Sequence, residues 1–172
     1  AGLMELLREY LLKERAEILD NQIRLEAIGA LDKLPAYVRE PLDALREESA
    51  GNTGMVLTLA LSYGGREELV EAMRSLAGKV ERGELTPEAI TEAVIGRELW
   101  TRELPPVDLI IRTSGENRVS NFLLWQGAYA EYVFTDTLWP DFRAHALLDC
   151  LEQYQNRERR FGLTSAQLRA LP

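Results

Sequence analysis

The sequence predicts an α/β protein with a mostly parallel sheet and helices on both faces. Two segments, residues 55–61 and 107–111, are near-continuous apolar runs, the pattern of strands buried on both faces. They alternate with stretches of helical periodicity, so the chain is built from crossover units that place strands parallel. The 172 residues carry no linker, internal repeat or low-complexity stretch, which predicts one domain over residues 1–172.

Leu3, Leu6, Leu7, Tyr10 and Leu11 recur at helical spacing, so the chain opens with an amphipathic helix. Residues 22–28 alternate and stop at Gly29, which reads as a strand. Leu34-Pro35 starts a polar helix that ends near Gly51. The apolar run at 55–61 closes at Tyr63-Gly64-Gly65, and Leu69, Ala72, Met73, Leu76 and Val80 continue as a helix. Gly83 stops that helix, and Thr86-Pro87-Glu88 has the cap and first-turn chemistry of another start. Pro105-Pro106 breaks the chain before the strand at 107–111. Residues 120–128 read as a helix, residues 131–135 as a last strand ended by Trp139-Pro140. Ala144, Leu147, Leu148, Leu151 and Tyr154 form a closing helix that Gly162 ends.

Composition removes several function classes. The net charge of −8 excludes a general nucleic-acid binder. No apolar run is long enough to cross a membrane, and the start is not a signal peptide. Cys150 is the single cysteine, so no disulfide forms within the chain, in keeping with a reducing, cytoplasmic setting. His145 is the single histidine, and any metal would be a hard, oxygen-bound ion. There is no P-loop and no Gly-x-Ser-x-Gly elbow.

In open parallel sheets, ligands collect beyond the carboxyl ends of the strands. At the end of the 107–111 strand stand Arg112, Thr113, Ser114, Gly115, Glu116, Asn117, Arg118, Val119, Ser120 and Asn121. Two Arg forks suit the spread charge of a phosphate or diphosphate. Gly115 lets backbone approach a ligand, and Ser120 or Asn121 caps the expected helix, whose N-terminus adds positive charge. The plainer reading is a surface loop with an Arg–Glu ion pair and an ordinary cap; the combination at a strand end favours anion binding. The second strand end, Ser62-Tyr63-Gly64-Gly65-Arg66, is a weaker candidate of the same kind.

These residues resemble the C-terminal signature of the cis-prenyltransferases, whose bacterial members are undecaprenyl or decaprenyl diphosphate synthases. The likeness is carried by Arg112-Thr-Ser-Gly-Glu-Asn-Arg-Val-Ser-Asn-Phe-Leu-Leu-Trp-Gln126 and Ala130-Glu-Tyr-Val-Phe-Thr-Asp-Thr-Leu-Trp-Pro-Asp-Phe142. Ala50-Gly-Asn-Thr-Gly54, Tyr63-Gly-Gly-Arg66 and Asn156-Arg-Glu-Arg-Arg-Phe-Gly162 match as well. The resemblance implies an enzyme that adds isopentenyl diphosphate in cis geometry to an allylic diphosphate such as farnesyl diphosphate, making a long polyprenyl diphosphate carrier-lipid precursor. It implies Mg²⁺, a homodimer and, through the greasy product, transient contact with the inner face of the membrane. Arg112, Arg118 and Ser120 are then expected to bind the diphosphate of isopentenyl diphosphate, and Glu131 to place Mg²⁺. Arg160 and Gly162 match a tail motif that reaches the partner subunit's diphosphate site. Met55 falls on the strand that lines the elongation tunnel, with Leu3, Leu7 and Leu57 as further apolar candidates.

The sequence departs from the family pattern in definite places. The Asp-Gly-Asn-Gly-Arg-Trp motif, which carries the catalytic and Mg²⁺-binding Asp, lies outside this chain, as does the Ser-x-Glu-Asn-Trp motif. The expectation is therefore the C-terminal part of an isoprenyl transferase domain, lacking the first two strands of the family fold and inactive without them. Ala30, Ser62 and Asn117 stand where relatives often carry Asp, Asn and His. The alternative is a non-catalytic diphosphate-binding and dimerisation fragment or partner subunit; keeping Arg112, Gly115, Glu116 and Arg118 favours a catalytic origin.

Overall fold

The computed structural model describes residues 2–159 and residue 167. It is an α/β structure whose strand pairs are parallel, and it divides into two compact units, residues 1–103 and 104–172.

In the first unit, α1 (Gly2–Lys13), α2 (Arg15–Asp20), β1 (Arg24–Ile28), α3 (Ala36–Ser49), β2 (Val56–Ala60), α4 (Gly65–Glu81) and α5 (Glu92–Glu98) follow in order. The short α2 was not expected. The break that precedes it has neither Gly nor Pro, and Ile18 is its buried residue. The core gathers Leu11, Ile18, Leu25, Leu34, Val38, Leu42 and Leu45. Val38, Leu42, Leu45 and Ser49 form the buried stripe of α3, the i, i+4, i+7 spacing of one helix face. Ser49 is fully buried, and its Oγ accepts the Leu25 N–H at 3.0 Å, which fixes α3 to the start of β1.

β1 and β2 pair in parallel from Arg24↔Val56 to Ile28↔Ala60. β1 alternates as expected, with Leu25 and Ala27 buried. β2 does not have the double burial expected of residues 55–61. Val56, Leu57 and Ala60 are exposed, because in this two-stranded sheet β2 is an edge and its partly buried Leu59, with Leu61 just beyond, meets the core from one side. The strand ends are held close: Gly29 has φ +112, and a Cβ there would lie 2.1 Å from the Leu61 carbonyl oxygen, so only glycine fits.

The start expected at Thr86-Pro87 is a 3₁₀ turn, Pro87–Ala89. The helix begins later, at Glu92, where the Thr91 side chain accepts the Val94 N–H at 3.3 Å.

The second unit holds β3 (Leu109–Arg112), β4 (Glu131–Phe134) and α6 (Ala144–Gln155). β3 and β4 are parallel, with Leu109↔Glu131 and Arg112↔Phe134 as partners. α6 packs against β4; Val133, Ala146 and Cys150 are the buried apolar residues of the unit among those described. Two expectations fail. No helix spans 120–128: Ser120, Asn121 and Leu123 have φ of 51°, 63° and 46°, left-handed values that interrupt an i→i−4 ladder, and only a 3₁₀ turn at Gln126–Tyr129 remains. α6 stops at Gln155, where Asn156 donates its side-chain amide to the Glu152 carbonyl at 3.0 Å. Gly162, the expected stop, lies outside the described residues.

Candidate functional site

The site grows from the carboxyl end of β3. Beyond Arg112 the chain turns through Ser114 (φ 70°) and Gly115 (φ 68°). The turn is laced to the segment after β4: Thr135 N–H donates to Arg112 O at 2.9 Å, Gly115 N–H to Thr135 O at 3.0 Å, and Ser114 N–H to Thr137 O at 2.9 Å. Gly115 is required by its left-handed backbone and by Asp136, whose Oδ1 would sit 3.2 Å from an added Cβ. Its N–H is spent on Thr135, so its role is the turn itself, not the backbone approach to a ligand that the sequence led us to expect.

A cavity of about 430 Å³ opens here. The pleat explains its lining. Ile110 and Arg112 on β3 pair with Tyr132 and Phe134 on β4, and these four line it together as residues of one sheet face. Arg118, Val119, Phe122 and Trp139 complete the lining. Tyr132 and Phe134 stack at 6.1 Å between centroids. Arg112 is half-buried, and its Nε is buried with no hydrogen-bond partner, a cationic donor that an anion would satisfy. Arg118 pairs with Glu116, and its side chain remains 69% exposed. The arrangement is amphiphilic: two guanidinium groups at a wall of aliphatic and aromatic carbon.

The structure thus brings Arg112 and Arg118 to one cavity. It does not bring Ser120 there; Ser120 is exposed and absent from the lining. With no helix at 120–128, a helix N-terminus contributes nothing, and the anion-holding capacity rests on the arginines. Glu131 is also elsewhere. It pairs with Leu109, three positions before Phe134 and on the opposite side of the pleat, about 10 Å along the strand. Its Oε2 accepts Arg157 Nη1 at 3.0 Å. A carboxylate suits a hard divalent ion, and the Asp108 carboxylate belongs to the residue whose carbonyl accepts the Glu131 N–H at 2.9 Å. No group of three His, Cys, Asp or Glu gathers among the described residues, so further ligands to Mg²⁺ would come from elsewhere. Met55 lies in the first unit, before β2, with 62% exposure. Leu3 and Leu57 are exposed too, whereas Leu7 packs on the core. Arg160 and Gly162 lie outside the described residues.

The second strand end also forms a cavity, of about 480 Å³. Its Lys33, Arg66 and Arg74 are matched by Asp32, Glu67 and Glu71, and Arg74 pairs with Glu71 at 2.9 Å, so it does not select an anion. Sequence reasoning missed what holds this loop: Glu68, 1% exposed, accepts Tyr63 Oη at 2.6 Å and the Trp100 N–H at 2.9 Å. It also missed Phe122, Phe134 and Trp139; the alternation of residues 131–134 was the available signal for Phe134. His145 is exposed and Cys150 is buried, both as expected.

Residues 1–162 match the family described as "Putative undecaprenyl diphosphate synthase". An isoprenyl transferase of Chlorobaculum tepidum is 48% identical over 98% of this chain. A ditrans,polycis-undecaprenyl-diphosphate synthase, (2E,6E)-farnesyl-diphosphate specific, of Shewanella oneidensis is 45% identical over 96%. The chain spans 64% and 60% of the lengths of these two curated relatives. Among solved structures, lavandulyl diphosphate synthase from Lavandula x intermedia, in complex with dimethylallyl diphosphate, superposes with a TM-score of 0.89 at 41% identity, covering 93% of this chain and 70% of that one. A "probable undecaprenyl diphosphate synthase" from Campylobacter jejuni gives 0.77 at 34% identity, covering 92% and 72%.

Proposed function

The chain belongs to the undecaprenyl diphosphate synthase family, the cis-prenyltransferases, and from that premise we propose that the protein elongates a prenyl chain. It condenses isopentenyl diphosphate onto an allylic diphosphate such as farnesyl diphosphate, and repeated cycles give a long polyprenyl diphosphate. The observation that carries this reading is the cavity in which the buried, unpartnered Arg112 Nε and Arg118 face aromatic carbon.

The chemistry explains the arrangement. The allylic C–O bond breaks and diphosphate leaves with the electron pair; the isopentenyl double bond supplies the new C–C bond, and one proton is lost. Isopentenyl diphosphate keeps its own diphosphate throughout, so that group has to be held rather than activated, which is a positioning task. Arg112 and Arg118 hold it through forked, charge-assisted bonds, while Phe134 and Trp139 give the five-carbon unit an apolar wall. Ser120, Arg160 and Gly162 belong to the same diphosphate-binding set in this reading, and Met55 to the tunnel that receives the growing chain. Mg²⁺, held in part by Glu131, supplies charge stabilisation at the departing diphosphate. We place the two units in one isoprenyl transferase domain that works as a homodimer in the cytoplasm, touching the membrane face only through its product; no helix among the described residues is long and apolar enough to cross a membrane.

The test is incorporation of radiolabelled isopentenyl diphosphate by the intact protein with farnesyl diphosphate and Mg²⁺. Label in an organic-extractable polyprenyl product supports the reading; no incorporation with folded, full-length protein overturns it.

A further inference from the structure

We infer that Arg157 gates Glu131, occupying the carboxylate until a divalent cation displaces it. α6 ends at Gln155, and the chain then delivers two arginines to the amino ends of the β3–β4 pair. Arg157 Nη1 donates to Glu131 Oε2 at 3.0 Å, and Arg159 Nη1 donates to Asp108 Oδ1 at 2.5 Å and to Tyr154 Oη at 3.3 Å. The two anchors are neighbours, since Glu131 N–H bonds the Asp108 carbonyl. The Glu131 side chain is 25% exposed and that of Arg157 37%, so solvent and a small ion reach the pair. This inference rests on the reading that Glu131 serves a metal.

Its physical content is competition. An oxygen that accepts a guanidinium N–H is not free to coordinate an ion, so only the fraction of molecules with the pair open is competent, and the apparent affinity falls by that fraction. A partly exposed ion pair limits the effect to roughly two- to fivefold. The exchange has a structural consequence: coordination of the cation releases Arg157, one of the two arginines that fasten the segment after α6.

Calorimetric titration of the intact protein with MgCl₂ tests this, with circular dichroism confirming that each variant folds. Arg157→Gln is expected to bind Mg²⁺ roughly two- to fivefold more tightly than wild type, Arg159→Gln to change less, and Glu131→Gln to lose the site. An unchanged affinity in Arg157→Gln, with binding lost in Glu131→Gln, overturns the gate and leaves the metal reading intact. Equal tightening in Arg157→Gln and Arg159→Gln reduces the effect to general electrostatics and also overturns it. Unaltered binding in Glu131→Gln removes the metal role and the gate together, while the incorporation assay still judges the enzyme reading separately.

Discussion

Arg112 stands opposite Phe134 in the β3–β4 register, and that pairing decides what a ligand meets: a fixed positive fork against an aromatic face. Arg118 is the looser partner, since it is mostly exposed and shared with Glu116. Losing a charge-assisted hydrogen bond to a bound anion costs about 1.5–3 kcal/mol, so Arg118→Ala is expected to raise KM for isopentenyl diphosphate by about tenfold or more in steady-state kinetics. Arg112→Lys is expected to fall short of wild type as well, because an ammonium cannot reproduce the planar fork. Cys150 presents the opposite case, a titratable group with no task at the site. Burial, then the charge of Asp149, pushes its thiol above the ordinary 9.0. At pH 8 it should resist iodoacetamide in the folded protein and react once denaturant is added, read by mass spectrometry.

At the scale of elements, the turn after β3 is the most exacting. Gly115→Ala places a side chain at φ 68° against Asp136, and a loss of about 1–2 kcal/mol is expected in denaturant unfolding, with a rise in KM because Arg112 and Arg118 lie on either side of the turn. In the first unit, α4 and α5 are joined by Glu98, which takes hydrogen bonds from Lys79 and Ser75. Chiefly the Lys79 bond, then the Ser75 bond, holds the Glu98 carboxyl below its ordinary 4.5. A depressed carboxylate stabilises the fold above the unfolded value and loses that contribution as pH falls through the folded one. The Tm advantage of wild type over Glu98→Gln should therefore shrink as pH drops below about 4.5 and stay level above it.

Across the whole molecule, what could be read from the sequence follows the range of the physics involved. The helix stripe of Val38, Leu42 and Leu45, the alternation of β1 and the apolar strand at Leu109–Arg112 are local patterns, and each marks its element correctly. The helix expected at 120–128 fails because the apolar residues there have helical spacing while Ser120, Asn121 and Leu123 take left-handed backbone that no glycine announces. Exposure of β2 was hidden for a different reason: an apolar run says nothing of how many strands flank it. At the site, Arg112 and Arg118 were legible from chemistry beside a strand end. Phe134 and Trp139 were not, since their place on the cavity depends on strand register and on a return of the chain. Glu131 shows the limit most clearly: parity along β4 sends it to the far side of the pleat, and its arginine partner comes from 26 residues downstream.

The central claim is that the cavity at Arg112 and Arg118 holds the diphosphate of isopentenyl diphosphate. Calorimetric titration of that ligand into wild type, Arg112→Ala and Arg118→Ala tests it directly. The account predicts saturable binding to wild type and affinity about tenfold or more weaker in each variant. Equal affinity in all three folded proteins would contradict it and place the diphosphate elsewhere.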